Sequence, residues 1–316
     1  MIKWAAPQND RISQGRGDDL LPGSPEGLPW VLTVPPPLSV ITPVFEGERF
    51  IESCLKSVIE QNCNRLEHYI IDGGSRDETA RIVARYARKY PHIRWVSEKD
   101  RGQSDAMNKG IARARGRYIG FLNADDYYEP NVLNHVIDLL EELPEPGLLV
   151  GNCRVLDGRG QVIYVNRPQR LDVVSVLLGA QFAVNPSAYF YHRSLHNEIG
   201  AYDIADHYSM DLDFLLKAMR RAHSKYIDRV LGNFRLIEGT KTFQKMRDNS
   251  LKTNKERIFS NYYRTLPWPQ RVYVGLGRGL RHSYFRCRYY AGRVPHYLRH
   301  PKELGKFFKP FRGHWT

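Results

Sequence analysis

Between residues 38 and 146 the apolar positions follow two alternating patterns. Short runs of β-forming residues, Leu38–Thr42, Tyr69–Ile71, Ile93–Val96 and Tyr118–Leu122, are each followed by a longer stretch with apolar residues at helical spacing. Glu48–Gln61 places Phe50, Ile51, Cys54, Leu55, Val58 and Ile59 on one face. Asp77–Tyr90 turns Ala80, Val83 and Ala87 inward and Arg81, Arg85, Arg88 and Lys89 outward. Ser104–Ala114 is a third helix, and Pro130–Leu143 a fourth with proline in its first turn. Strands alternating with helices of this length predict a parallel sheet joined by crossover helices. Such sheets bind ligands at the carboxyl ends of their strands. Here those ends are four polar loops, Thr42–Glu46, Asp72–Asp77, Ser97–Gln103 and Asn123–Asp126, which converge on one rim.

Beyond residue 146 the pattern changes. Leu148–Leu156 and Val162–Asn166 flank a Gly-containing turn and read as a hairpin. Leu171–Leu178 reads as a helix, Ala188–Tyr191 as a strand, and Met210–Ala222 as a helix with Leu212, Leu215, Leu216 and Met219 inward. Tyr226–Phe234 is a last strand. Residues 1–37, rich in Gly, Pro and charge and ending in three prolines, read as an arm expected to be partly disordered, with Trp30, Val31 and Leu32 as its docking residues. The expected division is therefore an arm (1–37), a first half (38–146), a second half (147–242) and an extension (243–316).

Composition adds three points. No segment has the roughly 20 apolar residues that span a bilayer, and the first residues lack the charged-then-apolar pattern of a signal peptide, so a cytoplasmic chain is expected. Cys54, Cys63, Cys153 and Cys287 show no metal-ligand spacing and read as free thiols. The net charge of +13 is localised: from Lys241 onward there are 18 Lys and Arg against three acids. Tyr, Phe and Trp interleave with those cations. Gly277–Arg293 then reads as an interfacial helix and the tail as a ligand for an anionic membrane surface, peripheral on the inner face of the plasma membrane, the alternative being a plain solvated tail. No recognised nucleic-acid module accompanies the charge.

Candidate chemistry centres on Tyr118–Asp126, where a buried strand ends in Asn123, Ala124, Asp125 and Asp126. Two adjacent carboxylates at a strand exit repel each other and resist desolvation, which calls for a cation. Hard oxygen ligands with no His or Cys nearby favour Mg²⁺ or Mn²⁺ bridging to a substrate's phosphates. From these residues alone the alternative is a turn residue at Asp125 and a helix cap at Asp126.

Five segments, SVITPVFEGERFIESCLKSV, IIDGGSRDET, SEKDRGQSDAMNKGIARARG, FLNADD and SMDLDFLLKA, taken in this order and spacing, resemble the inverting GT-A glycosyltransferases of the family-2 type that build bacterial and cyanobacterial polysaccharides. The resemblance covers Leu38 to Thr242. It implies an α/β GT-A fold, a Rossmann-like mixed sheet flanked by helices, with a nucleotide-sugar-binding first half and an acceptor-binding second half; the basic C-terminal helical extension is additional. It also implies that Thr42, Pro43, Phe45 and Glu46 wall a base, and that Asp72, beside Gly73, accepts a hydrogen bond from a uracil-type N–H. Arg101 and Gln103 would contact phosphate or base, and Asp105 and Asn108 lie on the donor side. Asn123, Ala124 and Asp125 are this chain's form of the metal motif written DxD, with Asp125 near ribose and metal and Asp126 ligating the ion. Asn123 replaces the first acid, which leaves the third metal ligand unassigned.

Aligning MDLDFLLKA makes Asp211 the base that deprotonates an acceptor hydroxyl, with Met210 in place of the more usual Glu. Gln181 and Asn185–Ser187 would shape the acceptor pocket, and Arg235, Lys241 and Thr242 would close over the diphosphate. The activity implied is metal-assisted transfer of a sugar from a nucleotide sugar, a UDP-sugar, to a hydroxyl of a saccharide or lipid-linked saccharide. Two alternatives stand: a synthase that loads a polyprenyl phosphate, and a non-catalytic membrane-associated binding subunit. A dinucleotide-dependent oxidoreductase is disfavoured by the lack of GxGxxG after the first strand.

Overall fold

A computed structural model describes residues 35–206, 209–238 and 250–280. The arm up to residue 34, His207, Lys241, Thr242 and the interfacial segment beyond residue 280 lie outside them. The first half contributes strands β1 (Leu38–Val44), β2 (Leu66–Asp72), β3 (Ile93–Ser97) and β4 (Tyr118–Phe121), all parallel, in the order β3-β2-β1-β4. Helices α1 (Ile51–Ile59), α2 (Thr79–Lys89) and α3 (Gln103–Arg113) alternate with them. β1 is buried along its whole length and runs two residues further than its apolar run predicts. Pro43 is accommodated because it pairs only with Ile71 of β2, the register with β4 having ended at Ile41 and Phe121, so little ladder is left to lose. α3 packs tightly on β1: a Cβ at Gly110 would meet Ile41 Cγ2 at 2.4 Å, so only glycine fits.

The second half joins the same sheet. β6 (Gly147–Leu156), β7 (Val162–Asn166), β8 (Tyr189–His192) and β9 (His223–Arg235) extend it past β4 as β8-β6-β9, with β8 antiparallel to both β4 and β6 and with β6 parallel to β9. The change of pattern at residue 146 is thus a change of topology within one nine-stranded sheet. Successive residues of its central strands face opposite sides, as the period of two requires. Ile41, Leu148, Tyr189 and Tyr191 enter one core, with Phe214 of α7 (Met210–Ala218). Val40, Leu149 and Phe190 enter the other, with Val136 and Ile137 of α4 (Leu133–Glu141).

The chain just after the acidic loop departs from expectation. Tyr127–Tyr128 forms a short strand, β5, paired with β9, and Asn131 takes a left-handed φ of 56°. The fourth helix therefore starts at Leu133 and Pro130 lies outside it. Its first free N–H groups, on Val132 and Leu133, donate to Oε1 of buried Gln61 at 2.9 and 3.2 Å. Asp126, well upstream, caps no helix. The helices α5 (Val173–Leu177) and α6 (Leu195–Ile199) precede α7; α8 (Ser250–Arg264) and a last helix, α9 (268–280), follow β9. Ile258, Tyr262, Leu266 and Val274 of this C-terminal region pack on Val176 of α5 and on Leu212 and Leu216 of α7.

Candidate active site at the sheet rim

The first two expected wall residues are not on the rim. Because β1 continues to Val44, Thr42 is fully buried, with Oγ1 2.9 Å from His68 Nε2 and 3.7 Å from Cys54 Sγ, and Pro43 is buried beside it. The rim begins at Phe45, which is 60% exposed, and Glu46, which is exposed at a left-handed φ of 50°. Beneath Phe45 lies Gly73. A Cβ there would meet Asp100 Oδ2 at 2.4 Å and the Phe45 ring at 3.3 Å, so the glycine leaves a narrow seat between an aromatic face and a carboxylate. Ala124 of the fourth loop borders the same region, 3.7 Å from where a Gly47 Cβ would be.

Asp72 ends β2 immediately before Gly73. It is fully buried, and its oxygens accept from Ser75 Oγ and Ser97 Oγ, each at 2.5 Å, and from the Ser75 N–H at 3.2 to 3.3 Å. Ser75 Oγ in turn accepts the Glu46 N–H at 2.8 Å. Asp72 thereby ties the ends of β2 and β3 to the β1 loop through two hydroxyl rotors that can turn away.

The third loop leads into α3. Asp100 Oδ1 accepts the Gly102 N–H at 2.8 Å, and Gly102 has a φ of 113°. Asp105 accepts from the Arg101 N–H at 3.1 Å and its guanidinium at 3.3 Å, with Lys109 3.6 Å away. Burial works to raise the Asp105 pKa, but these donors and the Lys109 charge outweigh it and hold it below the usual value. Arg101 otherwise reaches solvent, its side chain 71% exposed. Asn108 is engaged at both ends, donating to Tyr202 O and accepting from Tyr202 N–H, each at 2.9 Å. It latches the loop before α7 onto α3 from the place on the donor side expected of it.

The two adjacent acids are dissimilar. Asp126 is fully buried: Oδ2 accepts from Asn123 Nδ2 at 3.1 Å and Asn185 Nδ2 at 2.7 Å, and Oδ1 from the Arg235 N–H at 3.0 Å. Burial, and then the Asp125 charge, push its pKa up to about 8 against those donors. Asp125 is partly exposed, and burial raises its pKa too, with the Arg235 charge opposing. Asp125 is thus the more exposed of the two carboxylates, and Asp126, also expected to ligate the ion, is a buried post on which three segments meet: its own loop, the Asn185 stretch and the end of β9. Among the described residues no group of three His, Cys, Asp or Glu can hold a metal alone. The donor set fits a hard divalent ion that takes its other oxygens from water and substrate. Arg235 also stacks its guanidinium over Tyr127 at 4.6 Å and donates to Ser53 at 3.2 Å, which spans β1's helix and β9.

Asp211 is partly exposed in the first turn of α7 and accepts from Tyr189 Oη at 3.1 Å. Two short links bring it to the acidic loop. Asn185 on Asp126 and Tyr189 on Asp211 belong to one five-residue stretch that passes through a 3-10 turn, Pro186–Ala188. Gln103 and Ser104, consecutive at the start of α3, donate respectively to Asn123 at 3.0 Å and to Met210 Sδ at 2.8 Å. Asp213 faces elsewhere, bound to Lys217 at 2.7 Å and Tyr262 at 2.9 Å.

Phe45, Gly73, Asp72 and Asp100 thus gather at the ends of β1 to β3, and the start of α3 ties Asn123 of the acidic loop, through Gln103, and Met210 beside Asp211, through Ser104, to one place. Sequence reasoning gave no part to Tyr189 and named Ser75 and Ser97 only as members of rim loops; to Asn185, expected in the acceptor pocket, the structure adds a hydrogen bond to Asp126. Ser75 and Ser97 had a signal, since each stands at the exit of a strand; buried Tyr189 reads as core and had none.

A family model described as glycosyl transferase family 2 matches residues 39–196, half of the chain. An uncharacterized glycosyltransferase of Rickettsia prowazekii is 27% identical over 200 residues, 61% of this chain and 61% of that protein. The chain spans less than two thirds of the length of such curated relatives. Among solved structures, S. aureus TarS 1-349 in complex with UDP-GlcNAc has a TM-score of 0.54 at 20% identity, covering 64% of this chain and 59% of that one. The mannosyltransferase PcManGT of Pyrobaculum calidifontis, in complex with GDP-Man and Mn²⁺, has a TM-score of 0.57 at 19% identity, covering 78% and 70%. These neighbours share the curled mixed α/β fold.

Proposed function

Because the chain belongs to glycosyl transferase family 2, we propose that it moves a sugar from a nucleotide donor, a UDP-sugar, to a hydroxyl of a saccharide or lipid-linked saccharide by one inverting displacement. The observation that carries this reading is the start of α3, where Gln103 holds Asn123 of the acidic loop and Ser104 holds Met210 beside Asp211, a few residues after Asp100, whose carboxylate lies against Gly73. That TarS was solved with UDP-GlcNAc and PcManGT with GDP-Man and Mn²⁺ supports a nucleoside-diphosphate sugar as the donor class.

In this reading residues before 146 read the donor and residues after it the acceptor. Phe45 covers the base, Gly73 lets it approach, and Asp72 takes its N–H when a serine hydroxyl turns aside. Arg101, exposed above Asp105, reaches the diphosphate. Mg²⁺ or Mn²⁺ held by Asp125 and the diphosphate oxygens would neutralise charge on the leaving group. Asp211, oriented by Tyr189, takes the proton of the acceptor hydroxyl as its oxygen bonds to the anomeric carbon; the bond to the diphosphate breaks and its electron pair leaves with UDP. Attack from the face opposite the diphosphate inverts the anomeric configuration.

The test is a screen of nucleotide sugars, with Mg²⁺ and Mn²⁺, for slow hydrolysis and then for transfer, reading the product anomer by NMR. Release of UDP from one donor with an inverted product supports the reading. Hydrolysis of none, or retention of configuration, overturns it.

A further inference from the structure

α9 presents an apolar stripe to solvent. With 3.6 residues per turn, Trp268, Val272, Leu276 and Leu280, spaced four apart, fall with Tyr273 within an arc of about 140°. These five side chains are between 49% and 73% exposed. The opposite side of the helix fastens it to the body. Val274 is fully buried, a Cβ at Gly277 would meet Leu178 Cδ2 at 2.5 Å, and Arg278 Nε donates to Leu177 O at 3.0 Å. The outward direction of the stripe is therefore set by packing.

Two further observations say what covers it. From Arg281 to Thr316 the sequence carries nine Lys and Arg, one acid, Glu303, and nine aromatic residues. The stripe also sits on the acceptor side, since the C-terminal helices pack on α7, whose first turn carries Asp211. We propose that the exposed face of α9 docks on an anionic bilayer, its apolar side chains entering the boundary between headgroups and acyl chains while the cations that follow bind lipid phosphates. A second copy of the chain is a poorer occupant, because each copy would bring the same surplus of cations to the contact. Among the described residues no helix is long and apolar enough to cross a membrane, which suits docking on the surface. The inference goes beyond the transfer reading: its placement on the acceptor side rests on that reading, whereas the exposed stripe and the charge that follows it do not.

The test uses the full chain in co-sedimentation with vesicles of phosphatidylcholine alone and of phosphatidylcholine mixed with phosphatidylglycerol. The wild type is expected to bind the mixed vesicles and to leave the neutral ones largely free. Val272→Glu with Leu276→Glu should lower that binding about tenfold or more, with melting temperature and UDP affinity unchanged. Should this pair fold poorly, Leu276→Ser with Leu280→Ser replaces it. Absence of wild-type binding overturns the proposal, as does undiminished binding of the variants, which would assign it to the tail alone. A wild-type dimer that the substitutions convert to monomers overturns it in favour of a second copy. UDP affinity without vesicles reads the transfer assignment separately, so failure of one is not failure of the other.

Discussion

Replacing Asn185 by alanine removes two bonds from a side chain that is 2% exposed. Its Oδ1 caps the 3-10 turn by accepting the Ser187 N–H at 2.9 Å, and its Nδ2 donates to Asp126 at 2.7 Å. Loss of such a cap costs about 0.5–2 kcal/mol. Above the pKa of about 8 to which Asp126 is pushed, for instance at about pH 9, that group is charged, and loss of a hydrogen bond to it costs about 1.5–3 kcal/mol. The carboxylate left behind is fully buried and keeps only Asn123 on Oδ2, so the upper part of the summed range, about 3–5 kcal/mol, is expected. Urea unfolding should show this as a lower midpoint at unchanged slope. Combining Asn185→Ala with Asp126→Ala in a double-mutant cycle isolates the pair, and a coupling of about 1.5–3 kcal/mol is expected. A coupling under about 0.5 kcal/mol would refute the claim that Asp126 is the post on which the loops meet.

Phe45→Ala removes a ring that is 60% exposed and has little burial to lose, so stability should nearly hold while UDP affinity falls by about 5- to 150-fold, the usual worth of base stacking; equal affinity by calorimetry removes Phe45 from the seat. His68 supplies a pH dependence. Burial, and then His92, lower its pKa from 6.5 to about 3, so the unfolded chain takes up a proton before the folded one does. The stability it contributes is complete above pH 6.5 and is lost as pH falls toward 3. From pH 7 to pH 5 that loss is about 2 kcal/mol. His68→Gln should flatten the denaturation profile over this window, and an unchanged profile would contradict the assignment.

The parallel half of the sheet was legible because each strand there carries a short run of β-forming residues, followed by a stretch with apolar residues at helical spacing. What sequence pattern left out was set by partners remote in the chain. β5 is two residues long and exists because β9, a hundred residues later, pairs with it. The true start of α4 depends on Gln61, whose amide nothing near Pro130 signals. In the site, location was legible and function less so. Asp125 and Asp126 are alike in sequence, yet three donors from separate segments draw Asp126 into the core and leave Asp125 at the surface. Thr42 fell from the rim to the interior because β1 outlasts its run of β-formers by two residues. Asn108 stood in the expected place but is bound to a backbone that sequence could not put beside it.

The measurement that bears most directly on the rim as a donor site is a calorimetric titration of UDP into the full chain with and without Mn²⁺, repeated on Asp125→Ala and Asp211→Asn. Mn²⁺ should tighten UDP binding to the wild type and to Asp211→Asn alike, and Asp125→Ala should lose about tenfold or more of that gain. Binding of UDP that ignores both Mn²⁺ and Asp125, or no binding at all, would contradict the account.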